Sequence, residues 1–271
     1  MASRRKTTRQ RRIMEILGTR SALRVADLAA ELDVSTETVR RDLDDLTRQG
    51  LIDRTYGGAV RRPSLEPGLS ERQTQLVPQR QAIARAAVPL LAGARHVMIG
   101  SGSTTMHVSR RLAFEMRDVT VLTHSFGAAT VLAGNPAITV MMTPGVYHLG
   151  EGALHGGQTL RFLEDFRADW AVVGASGLMP DGASDAMIEA AEVYGAMARR
   201  SARVMVVADS SKFDRAFPAS YASWEGIDVL VTDTPPRGPL ARAIAAAKVS
   251  VRVECSAAPP PGTETSGGRA S

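Results

Sequence analysis

One cysteine, Cys255, is all that the 271 residues contain. An intrachain disulfide framework is thereby excluded, and the usage fits a reducing compartment. Lysine is scarce as well. Almost all basic residues are arginine, which suits bidentate contacts to phosphate and guanine and equally follows from genomic base composition. No apolar run reaches the ~18 residues of a membrane span. The basic start "MASRRKTTRQRR" leads into no uninterrupted hydrophobic stretch, so a secretory signal is not expected. The five histidines, at 96, 107, 124, 148 and 155, show no metal-ligand spacing with the lone cysteine. His148 and His155 sit in a glycine-rich stretch and read as exposed loop residues. Neither a G-x-S-x-G nucleophile elbow nor a Walker motif occurs. A soluble cytoplasmic protein without metal or cofactor, and without a membrane partner, is the expectation.

What charge there is lies unevenly. Residues 1–62 hold 14 Lys or Arg against 9 Asp or Glu, whereas the remaining 209 residues hold 19 of each. The whole excess of +5 therefore sits in the first quarter of the chain. A basic segment beside a neutral body suggests a polyanion-binding module attached to a separate domain; a disordered solubilising arm is the bland alternative. With 44% hydrophobic residues, the body has enough apolar side chain for one sizeable core.

The basic segment is patterned, which an arm would not be. Ile13, Ile16 and Leu17 in "RRIMEILGTR" fall on one helical face, and Gly18 helps to end it. "VADLAAEL" repeats the spacing with Leu28, Ala29 and Leu32. The break "DVS" follows, where Ser35 is a good N-cap. The next helix, "TETVRRDLDDLTRQG", aligns Val39, Leu43 and Leu46 and closes at Gly50. "LIDRTYGGAV" then alternates around Gly57-Gly58 as a small hairpin. Three short helices and a hairpin describe a winged helix-turn-helix over 6–61, with the helix-turn-helix at about 23–42. Its third helix enters the major groove by its N-terminal residues. The face opposite the apolar stripe carries Glu37, Arg41, Asp44 and Arg48, so Ser35, Thr36, Thr38, Arg40 and Arg41 are candidates for base and phosphate contact. Arg54 and Tyr56 on the hairpin are candidates for backbone or minor-groove contact. A merely solvated charged face is the competing reading.

"RRPSLEPGLSERQTQLVPQR" begins proline-rich and aperiodic, and reads as a linker over 62–79. From residue 80 to 254, helical segments alternate with short Val/Ile/Met-rich strands such as "HVMI", "VTVLT", "AITVMM", "WAVVGA", "RVMVVA", "DVLVT" and "VSVRVE". That alternation indicates an α/β domain, a mostly parallel sheet covered on both faces. The Pro/Gly/Ser/Thr-rich tail, 256–271, reads as disordered. Ligands of such sheets bind beyond the carboxyl ends of the strands. Four loops fall there: "GSGSTT" (100–105), His124-Ser125, Thr143 to Gly145, and "DSSKF" (209–213). In the first, glycines allow close backbone approach while hydroxyls and a helix N-terminus hold an anion. Each loop alone is more often only a turn; their shared placement at one sheet edge makes the site.

These residues carry a resemblance. "LAAELDVSTETVRRDLDDLTRQGLIDRTYGGAV" is similar to the DNA-binding signature of the DeoR family of bacterial transcriptional regulators, through Val34, Ser35, Thr38, Val39, Arg40, Arg41, Asp42, Leu43, Gly50, Tyr56, Gly57, Gly58 and Ala59. The resemblance continues over about 80–253, where the family's domain resembles sugar-phosphate isomerases and binds a phosphorylated sugar or related metabolite. Ser101, Gly102, Ser103, Thr104 and Thr105 match its first landmark. Ser125, Gly145, "GASG" at 174–177, Glu189-Ala190 or Glu192, and Asp209 to Phe213 match others. The resemblance thus implies effector binding by Ser101 to Thr105, His124, Ser125, Gly145, Asp209 and Lys212. It further implies operator DNA as partner, repression, and a homo-oligomer, dimer or tetramer. Four polar positions depart from the pattern: Gly100 replaces Asp, His124 replaces Asn, Pro144 replaces Gly, and Tyr194 replaces Lys. A regulator and no enzyme is the expectation. Two alternatives stand beside it: an isomerase-like enzyme using Asp209 and Lys212 with a DNA-binding appendage, and an effector-independent DNA-binding protein.

Overall fold

The computed structural model describes residues 66–254 throughout, together with 6, 9–10, 12–13, 16, 22–48, 52–55 and 58–61 ahead of them; for 22–23, 48, 52–55 and 58–61 it describes the backbone only. The 256–271 tail lies outside the described residues. The chain divides into two compact units, Met1–Glu66 and Pro67–Ser271.

In the first unit, helical residues 9–10, 12–13 and 16 precede β1 (Ala22–Arg24), α1 (Val25–Glu31) and α2 (Thr36–Arg48). Ile13 and Ile16 pack with Val25, Leu28, Ala29, Val39, Leu43 and Leu46 in one buried cluster, the stripe that the helical spacing predicts. The break between α1 and α2 is tight because Asp33 takes a left-handed conformation (φ 51°), which short polar side chains tolerate. Ser35 then caps α2 by accepting the Thr38 N–H at 3.2 Å. β2 (Ile52–Thr55) and β3 (Gly58–Arg61) form the expected hairpin. The wing has a third strand that the sequence reading lacked: β1 pairs with β3, Ala22 opposite Val60. Three residues are too few to show alternation.

The second unit is built on a seven-stranded parallel sheet in the order β15-β14-β12-β9-β4-β5-β6. The strands are β4 (His96–Ile99), β5 (Val119–Thr123), β6 (Ile138–Met142), β9 (Ala168–Val173), β12 (Ser201–Val207), β14 (Val229–Thr232) and β15 (Ser250–Val253). Strand side chains alternate between two cores. Val97, Ile99, Val172, Met205 and Val231 pack under α4 (Val77–Ala87), α5 (Ser103–Glu115) and α6 (Phe126–Leu132). Met98, Ala171, Val173, Val206 and Leu230 pack under α7 (Gly157–Glu164), α8 (Ile188–Arg199) and α9 (Gly238–Ala246). Burial on both faces explains strands that are apolar throughout.

Two smaller pieces break the β/α alternation. β7 (Val146–His148) and β8 (Ala153–His155) form an antiparallel hairpin. β10 (Gly177–Met179), β11 (Gly182–Asp185) and β13 (Ala219–Ala222) form a small antiparallel sheet. The stretch expected as linker is also partly structured. Leu69–Arg72 is a short helix (α3), the Leu69 N–H donates to the Gly150 carbonyl at 3.1 Å, and α4 already begins at Val77 with Pro78 in its first turn. The buried Leu69 side chain explains the order: an apolar residue among turn formers docks the segment onto the β7–β8 loop.

Candidate functional site

On α2, Thr36, Glu37, Arg40, Arg41 and Asp44 are exposed and Thr38 is half-buried, opposite the buried Val39, Leu43 and Leu46. The Arg41 Nε donates to Glu37 at 3.1 Å, one turn back. Asp42 is buried (1% exposed) and ion-paired with Arg9, and Asp45 pairs with Lys6. Two carboxylates of α2 are thus paired with Lys6 and Arg9, while Arg40 and Arg41 lie on its exposed face. Ser35 is exposed, with its hydroxyl bonded to Thr38. Of the wing candidates, Tyr56 and the Arg54 side chain lie outside the described residues.

In the second unit, crossovers from β4 run one way through β5 and β6, and those from β9 run the other way through β12, β14 and β15. The reversal between β4 and β9 opens a crevice beyond their carboxyl ends. Gly100 to Gly102 emerge there and lead into α5. Gly102, at φ 132°, caps α5 without any side chain. The amides of Ser103, Thr104 and Thr105, in the first turn, therefore lack an intrahelical acceptor and have the helix dipole behind them. Such an end has the chemistry of an anion cradle. The loop after β9 borders it: a β-carbon on Gly174 would lie 3.8 Å from the Ser101 carbonyl oxygen.

His124 closes one side. Its Nε2 accepts the Ser101 N–H at 2.9 Å, so the proton resides on Nδ1, which donates to the Leu154 carbonyl at 2.9 Å. Fully enclosed, with both nitrogens engaged, the ring has its pKa lowered to about 3 by desolvation and by neighbouring His155. It is a neutral structural link between the cradle and the β7–β8 hairpin. Ser125 is likewise occupied, capping α6 through the Ala128 N–H. Gly145 packs so closely that a β-carbon would lie 2.8 Å from the His155 carbonyl.

The departures at 100 and 194 prove to be one packing event. The Tyr194 hydroxyl donates to the Ser101 carbonyl at 2.8 Å and lies 3.0 Å from the Ser101 hydroxyl. Its ring covers Gly100, where a β-carbon would meet Cε1 at 2.8 Å. An aspartate at 100 has no room beside this ring. Burial and the Asp185 charge push the Tyr194 phenol well above its ordinary range, so it stays neutral.

Asp209 and Lys212 stand on the turn after β12, and both are buried. Asp209 binds Arg80 at 3.2 Å and accepts the Ser211 N–H at 3.3 Å. Both carboxylate oxygens thus accept hydrogen bonds from inside the protein.

One expectation is corrected. His155 is buried (4% exposed) and His148 half-buried; neither is a surface loop residue, because the glycine-rich stretch folds as the β7–β8 hairpin. His155 lies with its ring 5.1 Å from that of His124. Arg80 and His155 are the neighbours that sequence reasoning left out of the site, and the packing roles of Tyr194 and the buried Thr143 hydroxyl were not read from it. Among the described residues, no group of three or more His, Cys, Asp or Glu is placed to hold a metal, and no helix is long and apolar enough to cross a membrane.

Comparison with known proteins decides the family. Residues 9–64 match the DeoR-like helix-turn-helix domain, and residues 76–234 match the DeoR C-terminal sensor domain. The chain belongs to the DeoR family. As a DeoR-type chain it is a DNA-binding transcriptional regulator with a helix-turn-helix unit and a sensor unit. It is 30% identical over 230 residues to the HTH-type transcriptional repressor CsqR of Escherichia coli, covering 84% of this chain and 88% of that one. It is 27% identical over 234 residues to the glycerol-3-phosphate regulon repressor of the same organism, covering 86% and 92%. Ribose 5-phosphate isomerase A of Methanocaldococcus jannaschii aligns at 18% identity and TM-score 0.38 over 49% of this chain and 53% of its own.

Proposed function

We propose that this DeoR-type protein is a repressor. It binds operator DNA through Ser35, Thr36, Thr38, Arg40 and Arg41 at the start of α2, with the wing alongside. A phosphorylated sugar or related anionic metabolite, held at the α5 N-terminus, modulates that binding. The two units correspond to these two tasks, and the protein acts in the cytoplasm as a homo-oligomer that presents paired recognition helices to spaced half-sites. The observation that carries the reading is the uncapped α5 N-terminus at the strand-order reversal, in a chain whose net positive charge lies wholly in its helix-turn-helix unit. An isomerase role is disfavoured by Asp209, which is enclosed and ion-paired with Arg80 rather than open to a substrate. Ligand and DNA each favour one arrangement of the protein, so each changes the other's affinity by the same factor.

The test is binding of the full chain to DNA from upstream of its own gene, with and without a panel of phosphosugars. Sequence-specific binding that at least one phosphosugar shifts is the expected result. Binding indifferent to every phosphosugar defeats the effector half of the proposal, and phosphosugar turnover by the purified chain defeats its regulatory reading.

A further inference from the structure

His124 and His155 are neighbouring buried imidazoles with opposite hydrogen-bond states. His124 has both nitrogens engaged. His155, 4% exposed, has neither Nδ1 nor Nε2 paired among the described residues. Among the described residues the hydroxyl of Thr143, 2% exposed at the carboxyl end of β6, is unpaired as well, and so is the Nδ1 of His148, whose ring lies 6.1 Å from that of His155. Nine-tenths or more of buried polar groups in folded proteins are paired, and each orphan costs free energy. A run of them in one place needs an occupant.

The place adjoins the anion cradle. His155 touches His124, which holds the Ser101 N–H at the cradle's entrance. Gly145, two residues after Thr143, packs against the His155 backbone. Loop β6–β7, strand β8 and the cradle thus form one continuous wall.

The chemistry of the orphans selects the occupant. Desolvation and the nearby His148 lower the His155 pKa to about 4, only partly opposed by Glu189, so the ring is neutral near pH 7. A neutral imidazole offers one donor and one acceptor, and a threonine hydroxyl offers both. A carboxylate or second phosphate supplies acceptors only. An aliphatic hydroxyl supplies donor and acceptor together, and satisfies both residues. With the Tyr194 ring packed over Gly100, position 100 itself offers no side chain to grip a hydroxyl.

We infer that His155 and Thr143 read the hydroxyl groups on the carbon chain of the effector, while its phosphate sits at the α5 N-terminus. This rests on the effector site proposed above. The ligand class is a phosphate monoester bearing hydroxyls within reach of β6 and β8, and its selectivity resides in those two side chains.

The experiment uses the full chain, its operator DNA and three kinds of probe: inorganic phosphate, ethyl phosphate, and polyhydroxylated monophosphates of three to six carbons. The variants are Thr143→Val, which keeps the side-chain shape, and His155→Phe, which keeps a planar ring of somewhat larger volume; both remove hydrogen-bonding capacity. The wild type is expected to respond to the best hydroxylated ester at a concentration at least about tenfold below that for ethyl phosphate, since sites built to pair a hydroxyl reject analogues lacking it. Both variants are expected to lose that preference, while their response to inorganic phosphate stays within about threefold. Without ligand, the melting temperature of Thr143→Val is expected to hold or rise, because no native hydrogen bond is lost. Thr143→Val keeps the test decisive if His155→Phe does not fold. An unchanged preference in the variants overturns the inference and leaves the effector site standing. A fall in the unliganded melting temperature of Thr143→Val with unchanged preference overturns it as well, by showing that the hydroxyl is paired through bound water. A wild type indifferent to every phosphate probe overturns the effector site itself, and the inference with it.

Discussion

Arg80 and Asp209 form an ion pair at 3.2 Å with both side chains enclosed, 2% and 1% exposed. The same guanidinium donates to the Arg72 and Gln75 carbonyls. The pair joins α4, close behind the N-terminal unit in sequence, to the "DSSKF" turn at the sensor sheet's carboxyl edge. An enclosed pair returns little net stability, yet either partner left alone is an uncompensated buried charge. Asp209→Asn and Arg80→Met are each expected to lower the stability of the sensor unit by about 3–5 kcal/mol. The double substitution is expected to cost less than the sum. Denaturant unfolding of the three variants measures this, and simple additivity would contradict it.

Gly100 and Tyr194 provide the second prediction. The ring cannot swing away from an added β-carbon, because its hydroxyl is bonded to Ser101 and its faces meet His124 and Tyr221 edge-on at 5.9 and 5.5 Å. Gly100→Ala is therefore expected to cost about 1–3 kcal/mol by overpacking, and Tyr194→Phe about 1 kcal/mol through its lost hydrogen bond. In a Tyr194→Leu background the cost of Gly100→Ala is expected to shrink markedly. A thermal-denaturation cycle reads the coupling, and a cycle that closes to zero would show that the two positions act separately.

What the sequence made legible follows from the range of the forces involved. The strands "HVMI" and "RVMVVA" and the stripe Val39/Leu43/Leu46 are visible because burial periodicity is local. Ser35 was readable as a cap because its bond partner, Thr38, is three residues away. The contacts that define the pocket are not local. Tyr194 reaches Ser101, Arg80 reaches Asp209, and His124 reaches Leu154; no spacing rule announces such partners. His155 was misplaced for a related reason. Glycines on both sides of β7–β8 read as loop, and three-residue strands are too short to display alternation. Loop placement at one sheet edge was correctly expected from topology alone, while which side chains in those loops remain free for a ligand was not.

Acid sensitivity is the third prediction. The His124 pKa falls from an ordinary 6.5 to about 3 on folding, and those of His155 and His107 fall to about 4, in each case chiefly by burial. A lowered pKa means that the folded state resists a proton which the unfolded chain accepts. The associated stability is complete above pH 6.5 and is lost progressively as pH falls toward the folded values. One such group contributes a slope approaching 1.4 kcal/mol per pH unit in that window. Melting temperature is expected to fall steadily from pH 7 to pH 4, and His124→Asn is expected to reduce the slope. A flat profile over that range would contradict the neutral, doubly bonded His124.

The last prediction concerns how Arg41 meets DNA. Exposed on α2 and held by Glu37 at 3.1 Å, it makes no contact with the core of its unit, so Arg41→Ala is expected to fold normally. Operator affinity is expected to drop at least about tenfold, and the salt dependence of binding separates the two ways this can happen. If Arg41 neutralises a phosphate, specific and non-specific DNA lose affinity alike, and the logarithmic salt slope falls by about 0.9. If it grips a guanine edge, operator binding weakens by about 1–3 kcal/mol, non-specific binding is spared, and the slope is nearly unchanged. Asp42→Ala is the contrasting variant. It strips the partner from Arg9 inside the helix-turn-helix unit, and is expected to unfold that unit and abolish binding to all DNA. Arg41→Ala leaving both affinity and slope untouched would remove α2 from the DNA interface.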